Sequence, residues 1–186
     1  MKKTIVNFLL ILSTLSTVLT VQSCYAQPYG KGIYNENIPY GNATSLSIST
    51  NNNVSISITP TTSGTLSTGT SDVTVWSTDV KGYKLYIRAL NNNYMDNLGA
   101  QLPASANTNP APLAVNTWGY NTNGSNNFVG ISAAEALTPD NLIRSTTTPV
   151  SSGETTNVTY GVKLDMAKPA GNYVAYVVYT AVPQTN

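Results

Sequence analysis

The chain contains no His. That removes the usual general base near neutral pH and the commonest metal ligand. It also excludes Ser–His and Cys–His nucleophile pairs. The carboxylates are Glu36, Asp72, Asp79, Asp96, Glu135, Asp140, Glu154 and Asp165, spread singly along the sequence. A two-carboxylate glycosidase needs a pair brought to a fixed separation by the fold, and nothing in the spacing marks such a pair. There is no phosphate-binding P-loop and no dinucleotide fingerprint. Two runs, NNNYMDN at 91–97 and NTNGSNN at 121–127, are rich in oxygen-bearing side chains. Calcium sites use several carboxylates. The first run has only Asp96 and the second has none, so Asn-rich turns account for both. The expectation is a protein with no catalytic residues, no cofactor and no metal.

The aromatic residues are the other candidates for chemistry. NTWGYNTNG, from Asn116 to Gly124, holds one of the two Trp residues of the chain. An exposed indole beside Tyr and Asn stacks on a sugar ring while the amides bond its hydroxyls. On that reading Trp118, Tyr120, Asn121 and Asn123 form the ligand-binding patch. The other reading packs Trp118 between two sheets, as large aromatics are highly buried on average, and leaves the NTNG run as the turn after its strand. Trp76 lies in the alternating run DVTVWS, out of phase with Val73 and Val75, so the face opposite those valines either buries it or displays it.

The elements that must position these residues read as strands. In SLSIST, Leu46 and Ile48 alternate with Ser, and in VSISIT, Val54, Ile56 and Ile58 do the same. Asn51–Asn53 lies between, and Asn tolerates the left-handed conformations of tight turns. The two runs predict a β-hairpin. Residues 60–71, rich in Gly, Ser and Thr, predict a loop with a short strand near Leu66. Strands follow at Asp72–Ser77 and at Tyr83–Ala89, the latter with Tyr83, Leu85, Ile87 and Ala89 on one face. Residues 99–112 carry three Pro and predict a long loop. Alternation returns at 113–120 and near 127–131. Ser132 and Glu135 match a capping box, but Pro139 limits any helix to one or two turns. NVTYGVKL, 157–164, places Val158, Tyr160, Val162 and Leu164 together. NYVAYVVYTAV, 172–182, is apolar on both faces and predicts the most central strand. About eight short strands and no long helical period give an all-β class, an immunoglobulin-like antiparallel β-sandwich.

The N-terminus reads as a targeting segment. Lys2 and Lys3 precede a mostly apolar stretch to Val21, and Cys24-Tyr25-Ala26 offers small residues at the positions before a cut. That is the layout of a secretory signal peptide over 1–26. Val21-Gln22-Ser23-Cys24 also resembles a lipobox, in which Cys24, the only Cys, would be lipidated. Gln22 departs from the small or apolar residue expected there. Residues 27–44 are punctuated by Pro28, Gly30, Gly32, Pro39 and Gly41 and read as a linker. Residues 45–186 form the sandwich. Of 9 Lys and Arg, two are Lys2 and Lys3, so the rest stands one short of the 8 Asp and Glu. No basic patch exists, which argues against a nucleic-acid partner. A membrane would be reached only through the N-terminal segment, retained or lipidated.

GYKLYIRA, NTWGYNTNG and NVTYGVKLDMAKPAGNYVAYVVYTAV, in this order, resemble secreted bacterial surface β-sandwich proteins, distantly WxL-like, of the kind found in Saccharibacteria-type lineages. The closing Pro-Ala-Gly-x-Tyr … Tyr-Thr-Ala also resembles spore-coat-U-like and other fimbrial sandwiches. The Trp-x-Leu signature itself is absent, since Gly119 and Tyr120 follow Trp118. The resemblance implies a sandwich spanning about residues 45–183 and no catalytic residues. The expected role is a non-catalytic adhesion or attachment module, exported to the cell surface. Its partners would be a cell-surface glycan or protein, or copies of itself. The alternative is a structural subunit of a surface fibre, pilus or coat, in which 27–44 adds a strand to a neighbour's sheet.

Overall fold

The computed structural model describes residues 45–50, 53–78 and 80–184. The predicted signal peptide, Cys24 and the 27–44 linker lie outside the described residues. Among the described residues nine strands run in chain order: β1 Ser45–Thr50, β2 Thr65–Thr78, β3 Gly82–Ala89, β4 Tyr94–Asn97, β5 Ala100–Pro103, β6 Thr117–Asn121, β7 Leu142–Ser145, β8 Glu154–Leu164 and β9 Val177–Gln184. One sheet has the order β1-β2-β8-β6, a second β7-β3-β9, and β4 and β5 form a separate hairpin. Every pairing between these strands is antiparallel. The only helical element among the described residues is a three-residue 3-10 turn, Pro139–Asn141. This is the all-β antiparallel sandwich that the alternating sequence predicts.

The two larger sheets face each other across one core. From β2 come Val73 and Val75, and from β8 come Val158, Tyr160, Val162 and Leu164. Tyr83, Leu85, Ile87 and Ala89 of β3 meet them from the other sheet, all at most 1% exposed. Both faces are those read from the period of two, because successive strand side chains point to opposite faces. Fully burying a large apolar side chain contributes about 1.5–3 kcal/mol, so these ten residues form a large share of what holds the layers together.

Four expectations need correction. Leu46 and Ile48 do not form a hairpin with Val54–Ile58. Instead β1 pairs with β2, Ser45 opposite Thr78 and Thr50 opposite Val73. Val54–Ile58 then runs on along β2: a methyl placed on Gly69 would come within 2.6 Å of Val54 and 2.9 Å of Ile56. Ser67 Oγ donates to the Ser57 carbonyl at 3.0 Å, yet no strand ladder forms here. Second, 65–71 is not a loop but the first half of β2, paired with β8 from Thr65–Leu164 to Ser71–Val158. Thr68 and Thr70 sit on a wet sheet face while Ser71 turns inward, a pattern that a Gly-Ser-Thr composition disguised. Third, Ser132 and Glu135 cap no helix. Ser132 Oγ accepts from the Ala134 N–H at 3.1 Å, and Glu135 meets Arg88 at 3.5 Å. Fourth, the doubly apolar 172–182 run is not central. Its strand, β9, pairs with β3 and with no other described strand.

Candidate functional site: a groove beside an open strand edge

NTWGYNTNG is built into the sandwich. Trp118 and Tyr120 sit on the inner face of β6, opposite Val162 and Tyr160 of β8, and are 1% and 5% exposed. The Trp118 indole N–H donates to the Asn93 carbonyl at 3.1 Å. Its ring lies 6.5 Å from that of Tyr160, tilted by 34°. Burial holds the Tyr120 hydroxyl un-ionised up to about 12, with the nearby Tyr179 adding to it. Of the four predicted contact residues, only Asn123 is exposed. Asn121 is buried and organises the turn: its Oδ1 accepts from the Gly124 N–H at 2.9 Å and the Asn123 N–H at 3.3 Å. Its Nδ2 donates to the Ser125 carbonyl at 2.7 Å. The motif is therefore a core Trp followed by an Asn-stapled turn, not an exposed stacking platform.

Three of the described carboxylates, Glu154, Asp165 and Asp72, each have their own polar partners. Glu154 meets Arg144 and accepts from the Tyr83 hydroxyl at 2.7 Å. The hydrogen bond from Arg144 lowers the Glu154 carboxyl below its ordinary range. Burial first, and the Glu154 hydrogen bond second, push Tyr83 up to about 12. Asp165 accepts from Asn116 Nδ2 at 2.9 Å and from the Ala167 N–H at 2.9 Å. Asp72 accepts from Asn157. Each is tied to a structural partner, and no group of three metal-type ligands occurs among the described residues.

A groove of about 1040 Å³ opens beside β8 and β9. One wall is Val54, Ile56 and Ile58; the other is the extended segment Tyr173–Val177. The floor is the inner face of β8 at Tyr160, Val162 and Leu164, with Ser71 of β2 and Tyr179 of β9. The polar spot of the floor is made by the Ser71 hydroxyl and by the Tyr160 and Tyr179 hydroxyls, which bond each other at 2.5 Å. Burial raises the pKa of both, so this spot is neutral at ordinary pH.

Both walls are extended chain with one edge unused. On its inner side, the second wall continues the β3–β9 pairing: the Leu90 N–H donates to the Tyr176 carbonyl at 2.8 Å, and Asp96 and Val174 exchange two bonds of 2.9 Å. On its other side no described strand pairs with it. Val54–Ile58 has the alternation of a paired strand and no ladder. Unpaired N–H and C=O groups along an extended edge are a template for another strand. Of the four contact residues expected from sequence, Trp118 alone borders this groove, and it does so as a buried core side chain. Two signals pointed to it: apolar side chains on both faces of 172–182, and a strand-like period at 54–58 left over after β1 took its partner.

No protein-family model matches the chain, and no curated protein or solved structure matches it.

Proposed function

We propose that the protein is an exported, non-catalytic structural subunit of a surface assembly, and that its groove takes an extended segment from a neighbouring copy. Residues 1–26 act as the export signal on this reading. Residues 27–44 supply the segment. They carry Tyr29, Ile33, Tyr34, Ile38 and Tyr40 among Gly, Asn and Pro, which gives apolar side chains to an apolar floor. An incoming strand would gain main-chain hydrogen bonds from the open edge and specificity from alternate side chains in the groove.

The observation that carries the reading is β9. Its sequence is that of a strand flanked on both edges and covered on both faces, and its place is at a sheet edge with half-exposed side chains throughout Val177–Val182. A partner strand removes that mismatch. The chemistry of the chain supports a non-catalytic role: it has no His, and Asp72, Glu154 and Asp165 are each tied to a structural partner. An attachment role through Trp118 loses its contact face, since that ring is inside the core.

The test compares residues 27–186 with the same chain lacking 27–44, by light scattering and electron microscopy. Assembly by the longer form and monomers from the shorter form are expected. Equal particle sizes for the two would overturn the reading.

A further inference from the structure

The outer face of the β1-β2-β8 sheet presents one aromatic on a hydroxyl field. Trp76 is 37% exposed. Across β1 it faces Ser47, with Ser45 and Ser49 on the diagonals. Along β2 its same-face neighbours are Thr74 and Thr78, and on β8 Thr155 lies on the diagonal. None of these neighbours carries a charge. The hydroxyls are held in place by one another: Thr74 and Thr155 bond at 2.8 Å, and Ser45 and Thr78 at 2.6 Å. A hydroxyl so bonded keeps further donor or acceptor capacity for a ligand.

Gly153 sets how the indole lies. It falls where a cross-strand neighbour of Trp76 would stand, and a Cβ built there would come within 2.5 Å of the indole nitrogen and 2.8 Å of Cε2. The pyrrole ring therefore occupies the space above Gly153, laid over the sheet instead of upright. Gly153 itself has φ +84°, a conformation that favours glycine. One side of the indole rests on the sheet and the rest meets solvent.

We infer that this face is a binding platform for a neutral saccharide chain, with Trp76 stacking on a sugar ring and Ser47, Thr74 and Thr78 bonding its hydroxyls. The chemistry selects the ligand. Nucleic acid requires Lys or Arg, and none adjoins Trp76. A protein contact rests on several aromatic and Arg anchors clustered at its centre, and this face offers one ring among hydroxyls. A lipid surface requires several apolar side chains together, and here there is one. A sugar offers apolar C–H faces to an aromatic ring and hydroxyls to a hydroxyl field. The platform is on the opposite side of the sheet from the groove, so it does not depend on the assembly proposed above.

The test uses the secreted chain with cellohexaose, chitohexaose and mannohexaose at millimolar concentration. N-bromosuccinimide oxidises exposed indoles, and peptide mass mapping separates Trp76 from the buried Trp118. Trp76 should oxidise freely alone, and at least one saccharide should slow it about tenfold, equivalent to about 1.4 kcal/mol; Trp118 should stay unmodified in the folded chain. By affinity electrophoresis, W76A should lose retention by that saccharide and W76Y should keep most of it. Oxidation of Trp76 at the same rate with all three saccharides, or retention of W76A equal to the parent, would overturn the platform. Because the protection assay uses the unaltered chain, instability of W76A leaves it decisive.

Discussion

Val177→Pro should block strand addition at β9 and leave the isolated subunit folded, whereas Val178→Pro should damage the subunit itself. The distinction follows from which way each peptide group points. The Tyr176 carbonyl accepts from Leu90 and the Gln184 carbonyl accepts from Lys81, so even-numbered residues of β9 turn toward β3. Antiparallel pairing alternates residue by residue. Val177, Tyr179 and Ala181 therefore turn their N–H and C=O groups to the open edge. Pro183 shares that parity, opposite Tyr83, and a proline with no N–H is tolerated on the unpaired side of an edge strand. Val178→Pro removes a ladder donor and strands a carbonyl of β3, a loss of about 1–3 kcal/mol. At roughly 4 °C per kcal/mol for a domain of this size, its melting point should fall by roughly 4–12 °C. Val177→Pro should melt within a few degrees of Val177→Ala, which controls for the lost side chain. In the assembly, Val177→Pro removes one inter-strand bond, about 0.5–1.5 kcal/mol, and sets a ring against the incoming backbone. Affinity should fall by about tenfold or more. Differential scanning calorimetry and sedimentation would read the two effects. Equal loss of melting temperature in both variants would show the parity argument to be wrong. A Val177→Pro chain that melts like Val177→Ala and still assembles normally would remove the open edge from the docking site.

Other perturbations probe the core. Trp118→Ala should cost about 3–5 kcal/mol by chemical denaturation, because it empties the space against Tyr160 and removes one of the two hydrogen bonds at the Asn93 carbonyl, which keeps only that from the Ala104 N–H at 2.9 Å. Gly161→Ala should cost about 1–3 kcal/mol by overpacking, since a Cβ there meets the Phe128 ring at 2.5 Å; Gly161→Ala with Phe128→Leu should recover part of the loss. Alkali should unfold the protein in a window that starts near pH 10. Tyr120 ionises at about 12 when folded against 10.0 when free. A raised folded value gives stability that is full below pH 10 and lost as pH rises through about 12, at about 1.4 kcal/mol per pH unit per group. Tyr83 acts in the same direction. In acid the sign reverses for Glu154, whose folded value is lowered by Arg144. Its contribution is present above the ordinary carboxylate range of about 4.3 and is lost as pH falls through the folded value. Arg144→Gln should make the acid limb of the stability curve shallower.

The parts of the fold that follow from local alternation were legible. Tyr83, Leu85, Ile87 and Ala89 lie on one buried face of β3, as the period of two requires. Val158, Tyr160, Val162 and Leu164 do the same on β8. The parts that depend on partners were not. The Leu46 and Val54 runs have equal claims to a hairpin, and only the register with β2 decides that β1 pairs across to Thr78 while 54–58 stays without a ladder. The 65–71 half of β2 was hidden because Ser, Thr and Gly score as loop residues, although cross-strand hydroxyl pairs such as Thr70–Thr159 at 3.4 Å suit a sheet face. Phe128 was hidden in another way. It lies beyond the Asn-rich turn and covers the outer face where Gly161 and Gly119 stand opposite each other, a contact that no single-strand pattern encodes.

The candidate site turned on the one place where a sound local inference met a contrary global position. A run apolar on both faces belongs to a strand with neighbours on either side, and NYVAYVVYTAV satisfies that rule along its length. The physical content of the rule is that such side chains and such edges are costly in water. β9 sits at an edge beside a groove with an apolar floor, so the cost is present in the isolated subunit. Consistency between local pattern and global fold is the normal state of a natural sequence, and departures gather at functional sites. The departure here has a definite place: the groove lined by Val54–Ile58 and by Tyr173–Val177. A strand is the object that satisfies both the edge and the floor, and this makes the Val177→Pro and Val178→Pro pair the sharper experiment than any change to the groove floor.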